Sequence, residues 1–505
     1  MSRFIDGWPV ARDPLALQFE AALLAHGVAT GDTVAFYGLA DGAWPAMLAG
    51  LLKIGGVAAF LPLITDERVL ARMLAQCAPK FVVATGEAEA ERIVHCMKSV
   101  PSIVQVILQH GKVRNPSIVS YGLLLQGGDR FREEKGDEIA RREKIITQDD
   151  DAVIIYSAGT LAMPRCVRIS HERLGNQVNA VAGKLGPGPA LASTGRLDLV
   201  DQLIPVLAGI QTGRKVFFGD FPTEAYEWIA PAPAVESLLA AKAWPVVGPG
   251  ALPKGFRGWW LRRRVRKALR EAFPLMKGLH LGFSTPSSWI VHLVHSARMR
   301  VTWGYGLAEA HGYCTWEENG VGWGSLLPHV KLAMHAGKLV FDFGDNPSAW
   351  WQTTGDWART VGPWIADLEP HGPERGDTNT LHAARRIERD IADHPWVASV
   401  FVNGPEPMAH KALVSLRPEP VYAWARANGI TTGNWAGLLA LPEIEEPILA
   451  RVRAIGHRHG QTLDPVILAH GLNEHEGELT ARGELRRTLV VRRAGSFPSS
   501  PRPDA

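Results

Sequence analysis

Cysteine is scarce in this chain of 505 residues: Cys77, Cys96, Cys166 and Cys314 stand far apart, with no CxxC pair and no Cys/His metal spacing. That pattern argues against structural zinc and against a disulfide framework, and for small buried thiols in a reducing cytoplasm. An excess of charge is missing too. Lys and Arg number 54 against 51 Asp and Glu, a net charge of +3, too small over this length to point to a nucleic-acid partner. No uncharged run approaches the ~18 residues of a membrane span, and the opening MSRFIDGWPVARDP has no apolar signal core, so neither secretion nor a membrane span is expected. No Ser-His-Asp or nucleophilic-Cys motif is visible. Eighteen histidines include the pairs His292/His295 and His457/His459, but neither pair has a third ligand at useful spacing, so core or surface places are expected for them.

What is present is an ordinary globular composition, 46% hydrophobic and 21% charged, on a chain long enough for more than one core. Helical and strand-like stretches alternate along the first third. Leu15–His26, Trp44–Ile54 and Arg68–Gln76 have helical spacing, while Thr33–Tyr37, Val57–Leu63 and Phe81–Ala84 are short β-rich runs. Strands interleaved with helices imply parallel βαβ units, an α/β fold with helices on both sheet faces. The charge run Asp129–Asp151 reads as a solvated surface linker.

After that run comes YSAGTLAMPRCVRISH, 156–171. A strand followed by small residues lets backbone N–H groups converge on a polyphosphate, and Lys or Arg neutralises its charge. Ser157, Gly159, Thr160 and Arg165 keep that chemistry, whereas Ala158, Leu161 and Ala162 add bulk where close approach is wanted. Taken alone, the same residues also fit an ordinary strand–turn–strand hairpin.

Further stretches follow in a telling order: the opening 27–63, GYGLAE at 304–309, WWQTTGDW at 350–357, IERDIADHPWVASVFVNG at 387–404 and GELTARGELRR at 477–487. In this order they resemble the adenylate-forming (acyl-CoA synthetase, AMP-binding ligase) superfamily, and within it the long-chain acyl-CoA synthetases. The resemblance implies a large N-terminal α/β domain over 1–365 with mixed and parallel sheets, a small mobile α+β domain over 370–495 and a tail over 496–505, with the ligand between the two domains. It implies ATP, Mg²⁺ and a carboxylic acid as ligands, coenzyme A as the usual thiol, and a reaction in which the acid is first adenylated and then passed to the thiol. Carried over residue by residue, Tyr305 and Gly306 would lie against the adenine, Glu309 would hold Mg²⁺, and Asp356 would accept hydrogen bonds from the ribose hydroxyls. Ser157, Gly159, Thr160 and Arg165 would face the phosphates. His171, after the loop, is expected to be structural.

The departures from the family pattern are concentrated on one step. Arg165 replaces the loop lysine, with a different geometry. Leu161 and Ala162 replace a Thr and a Gly, Ala308 replaces the Thr before Glu309, and Glu484 stands where the resemblance puts the C-terminal catalytic lysine. Arg482 or Arg486 is a candidate substitute for that lysine. Two readings follow: an acyl-activating enzyme with weakened adenylation, acting on a fatty or other hydrophobic acid, or a pseudoenzyme that binds nucleotide, acyl ligand or a protein partner without chemistry. Finally, GWWLRRRVRKALREAF puts Leu261, Val265, Leu269 and Phe273 on one helical stripe with Arg262, Arg263, Arg266, Lys267 and Arg270 off it. Such a segment, 259–273, either packs as a surface helix or makes peripheral membrane contact. The turn GFSTPSS at 282–288 falls where the resemblance places a turn near the acyl and adenine pockets.

Overall fold

The TVAFY and VAAFL runs have no polar face, so they can only be buried on both sides. They form β1 (Thr33–Tyr37) and β2 (Val57–Leu61), buried at every residue. In the computed structural model they lie inside a seven-stranded sheet with β3 (Phe81–Ala84), β4 (Gln105–Leu108), β5 (Ile118–Ser120), β6 (Asp151–Tyr156) and β7 (Cys166–Ser170). The order is β5-β4-β3-β1-β2-β6-β7, parallel except for β7. Residues 8–490 are described apart from 65, 158–163, 220–223, 244–258, 260–262, 265, 268, 272, 285, 319–321, 336–337, 343–351, 362–363, 370–377, 404–409, 431–433, 475, 481–482 and 488, with backbone course alone at 241–243, 332–335, 338–342, 352–361, 364, 366–369, 378–383 and 410.

The helices have local causes. α1 (Pro14–Ala25) starts with Pro at its first position and Asp13 as a cap that accepts from Leu15 N. It packs on α2 (Trp44–Lys53) so closely that a Cβ on Gly50 would lie 2.5 Å from Ala16 O. α3 (Glu67–Cys77) is capped by Asp66, and α4 (Glu87–Met97) follows β3. The expected linker at 129–151 is corrected here: residues 129–145 belong to α5 (Tyr121–Ile145), a 25-residue helix interrupted at Lys135, and Asp151 already opens β6. A stripe of Leu124, Gly128 and Ile139 is buried, a Cβ on Gly128 would lie 2.4 Å from Gln18 O, and Lys53 bridges Glu20 (2.7 Å) to Glu143 (2.9 Å). The charges are the outer face of a packed helix, and so many polar residues hid its narrow apolar stripe.

A second sheet is wholly parallel: β8 (Ala190–Ser193), β9 (Lys215–Phe218), β10 (Glu227–Ile229), β11 (Gly278–His280) and β12 (Arg300–Thr302), in the order β12-β11-β10-β8-β9. Its helices include α6 (His171–Ala182), α7 (Val200–Gln211) and α8 (Ala232–Ala243). A six-stranded sheet containing Gln352–Val361 follows, and then a C-terminal region with its own three-stranded sheet, Val397–Val402, His410–Leu416 and Leu463–Ile467. Ile387, Trp396, Val414 and Ile448 are in its core. This is the expected α/β body with a small α+β region after it. The expected division between 365 and 370 adjoins 370–377, and the tail 496–505 also lies outside the described residues.

Candidate active site

Open α/β sheets bind ligands beyond the carboxyl ends of their strands. In this chain the carboxyl ends of the two sheets meet, because Ala40 N, just past β1, donates to Gly195 O, just past β8 (3.0 Å). Along the second sheet the same edge carries the turns after β10, β11 and β12, and therefore the GFSTPSS and GYGLAE stretches.

The GYGLAE turn is built from backbone contacts that leave no room for side chains. A Cβ on Gly304 would lie 2.3 Å from Thr315 O, and one on Gly306 2.1 Å from Gly312 O. Tyr305 N donates to Thr315 Oγ1 (2.9 Å) and Tyr305 O accepts from Cys314 N and Thr315 N (2.8 and 3.0 Å). The Tyr305 ring is 4% exposed and meets Trp323 edge-on at 6.0 Å.

Under this turn stands a buried polar strut with a clear origin. Pro205 lies inside α7 and has no N–H, so the carbonyl four residues earlier, on Asp201, loses its helical partner. Tyr313 OH donates to that carbonyl (2.6 Å). The same oxygen can then only accept from His280 Nε2–H (2.5 Å), which leaves Nδ1 to accept from Thr302 Oγ1 (2.9 Å). His280 stacks on Trp316 at 4.2 Å and 4°. Burial, with Arg300 adding to it, pushes its pKa down to about 3, so the ring is neutral.

Glu309 is half-buried in the same turn. Two residues on, His311 has a left-handed backbone (φ 60°), is buried, and has Arg173 Nη1 at 3.3 and 3.2 Å from its ring nitrogens. Burial first, then Arg173, lowers its pKa to about 4. Arg173 lies in the first turn of α6, next to the fully buried His171, and Gln177 of α6 clamps Tyr313 through both N (2.9 Å) and O (3.1 Å). The structure thus ties the exit of the 156–171 stretch to the Glu309 turn. Sequence reading missed Arg173, since a lone arginine after Ser-His carries no signal.

The loop itself joins β6 to β7 as a strand–loop–strand hairpin. Ser157 closes its neck: Ser157 N donates to Arg165 O (3.0 Å) and Arg165 N donates to Ser157 Oγ (2.9 Å). Gln76 holds the exit through Pro164 O (3.1 Å) and Cys166 N (2.9 Å). Gly159, Thr160, Leu161 and Ala162 lie outside the described residues, and Asp356 is described only as backbone within Gln352–Val361.

The C-terminal region closes over this edge. The turn Thr480–Glu484 rests on the start of α8, where a Cβ on Gly483 would lie 2.7 Å from Pro233 Cγ. Glu484 is exposed, with its N–H donated to Thr480 Oγ1 (3.1 Å). Of the two candidate substitutes for lysine, Arg482 lies outside the described residues, and Arg486 is half-buried, its pKa lowered by burial and raised by Glu474. Three contacts that the sequence did not disclose hold the region in place. Arg196 grips Asp198 (2.9 Å) and Glu474 (3.2 Å), Ser288 Oγ donates to Asp393 (2.5 Å), and Arg417 pairs with Glu236, which also accepts from Ser287 Oγ (2.7 Å).

Among the described residues no group of three His, Cys, Asp or Glu could hold a metal by itself. A half-buried single carboxylate such as Glu309 nevertheless suits Mg²⁺, which is typically bound by one or two carboxylates with substrate phosphates and water.

Comparison with known proteins agrees with this fold. The sequence model described as "AMP-binding enzyme" matches residues 13–227. Comparison with curated proteins gives no match. An anthranilate CoA ligase solved with anthranoyl-AMP superposes with TM-score 0.67 at 13% identity, over 96% of this chain and 91% of that one. A benzoate CoA ligase from Burkholderia xenovorans LB400 gives 0.64 at 15%, over 94% and 92%. The adenylation domain of a carboxylate reductase from Mycobacterium chelonae gives 0.68 at 18%, over 95% and 82%. Over residues 13–227 the chain thus matches the AMP-binding enzyme model, and over nearly its whole length it shares the fold of these three proteins.

Proposed function

We propose that this protein is an ATP-dependent acid-activating ligase that acts on a fatty or other hydrophobic carboxylic acid and passes the acyl group to a thiol, coenzyme A in the usual case. A carboxylate oxygen of the acid attacks the α-phosphorus of ATP, the bond to pyrophosphate breaks, and the thiol sulfur then attacks the acyl carbon and releases AMP. What supports this reading is the fold, with the Glu309 turn after β12 and the start of α8 after β10, on which Gly483 rests, both on the carboxyl side of the second sheet. An anthranilate CoA ligase of the same fold holds anthranoyl-AMP.

In this reading Ser157, Gly159, Thr160 and Arg165 face the triphosphate, Tyr305 and Gly306 border the adenine, and Asp356 accepts from the ribose hydroxyls. Glu309 would hold Mg²⁺, which offsets the charge of the phosphates. The active form has two bodies, 1–365 and 370–495, and works in the cytoplasm. Adenylation is slow. Glu484 supplies a carboxylate where a cation would steady the developing charge, and the loss of one such electrostatic group costs about 3–4 kcal/mol, roughly 10²–10³ in rate.

The same substitutions, with Leu161, Ala162 and Ala308, favour one second reading: a catalytically impaired chain that binds nucleotide or acyl ligand without turning it over. Calorimetric titration with ATP and Mg²⁺ tests the nucleotide site shared by both readings. Binding is expected, and Asp356→Ala should weaken it at least about tenfold, since hydrogen bonds to a charged acceptor contribute roughly 1.5–3 kcal/mol. Absence of binding by the unmutated protein at millimolar nucleotide would contradict both.

A further inference from the structure

The segment before β11 is not used by the activity proposed above. Its described residues Trp259, Arg263, Arg264, Arg266, Lys267, Leu269, Arg270 and Glu271 are helical. Leu269 is fully buried and joins Phe273, Met276 and Leu279 in the core beside the second sheet. That anchor holds the opposite face outward. Arg263, Arg264, Arg266, Lys267 and Arg270 border one open recess with a single carboxylate, Glu271, which pairs with Lys267 at 3.7 Å. A chain whose whole formal charge is +3 has thus gathered five cations against one acid on one helix face. Beside them Trp259 is 48% exposed, with the Arg263 guanidinium 5.7 Å from its ring centre, and Leu275 is exposed as well.

We propose that this face docks the protein on an anionic phospholipid bilayer. Lys and Arg on a helix face are attracted to acidic headgroups while their alkyl stems lie along the apolar boundary. An exposed indole beside a cation suits the water–lipid interface, where an aromatic ring finds an apolar side and a wet side together. The exposed Trp259 and Leu275 favour a bilayer over a purely ionic partner such as duplex DNA or an acidic protein, because both side chains gain from an apolar boundary. The proposal does not depend on the nucleotide site, and its test needs neither ATP nor an acid.

The full chain is sedimented with vesicles of phosphatidylcholine alone and of phosphatidylcholine with phosphatidylglycerol. Binding is expected only to the anionic vesicles and should fall as salt rises. Each cation near such a surface accounts for about a fivefold change in partitioning, so Arg263→Gln with Lys267→Gln should weaken it roughly 25-fold. Trp259→Ala should weaken it too. Arg132→Gln with Lys135→Gln removes the same charge from the exposed face of α5 and should change it little. Equal binding to both vesicle types overturns the proposal, as does an equal loss in the two double variants. So does binding of duplex DNA or polyglutamate by a protein that ignores the anionic vesicles. Circular dichroism confirms that each surface variant is folded before it is compared.

Discussion

Arg417, from the C-terminal region, and Glu236, from α8, form an ion pair buried between the two parts of the chain, with side chains 4% and 12% exposed. Arg417 also donates to Pro395 O (2.9 Å), and Glu236 also accepts from Ser287 Oγ, so neither partner can turn to water when the other is removed. Removing one partner of a buried pair leaves an uncompensated charge at a cost of about 3–5 kcal/mol. Glu236→Gln should therefore lower the unfolding free energy of the protein, read by urea titration, by about that amount. Glu236→Leu with Arg417→Met should recover much of the loss. A single variant that costs under about 1 kcal/mol would show that the pair is solvated instead.

The strut under the GYGLAE turn makes a coupled prediction. Tyr313→Phe strands the Asp201 carbonyl and His280 Nε2–H, a loss of about 1–3 kcal/mol. Pro205→Ala restores an N–H to the helix and offers that carbonyl its ordinary partner. In the Pro205→Ala background Tyr313→Phe should cost measurably less, with a coupling on the order of 0.5–3 kcal/mol in a double-mutant cycle. Strict additivity would mean that Pro205 is not the reason for the Tyr313 contact.

Two buried histidines set a pH dependence. Folded-state pKa values of about 3 for His280 and about 4 for His311 lie below the ordinary 6.5, through burial first and the neighbouring Arg300 and Arg173 second. Below pH 6.5 the unfolded chain takes up protons that the folded chain refuses. Stability is therefore fully present above about 6.5 and falls as pH drops toward 4, by up to about 1.4 kcal/mol per pH unit for each histidine. Urea unfolding at neutral pH and at about pH 5 reads this slope. His311→Gln should remove roughly half of it, and a flat profile in the unmutated protein would contradict the assignment.

Much of the first sheet was legible because its residues obey one local rule each. Thr33–Tyr37 and Phe81–Ala84 are strands at the expected bounds, and Trp44–Ile54 and Arg68–Gln76 are helices within a residue of them. α5 was missed because a helix that buries only a thin stripe looks, by composition, like a solvated run. In the candidate site, Tyr305, Gly306 and Glu309 are proposed from a short motif, and the motif's glycines are tight for backbone reasons. Arg173, Arg196, Glu236 and Arg417 could not be named. Each is a single charge whose partner lies 138, 278, 181 and 181 residues away in sequence, and no local spacing announces such a pair.

The most direct test of the central claim is acid-dependent exchange of labelled pyrophosphate into ATP, measured with a panel of fatty and aromatic acids for the unmutated protein and for Glu484→Lys. Slow exchange that requires an acid, raised roughly 10²-fold or more by the restored cation and abolished by Glu309→Ala, is the expected result. Further gain is expected when Leu161 and Ala162 become Thr and Gly. If no acid supports exchange in the unmutated protein, in Glu484→Lys or in the triple variant, the protein is not an acid-activating ligase and the binding-only reading replaces it.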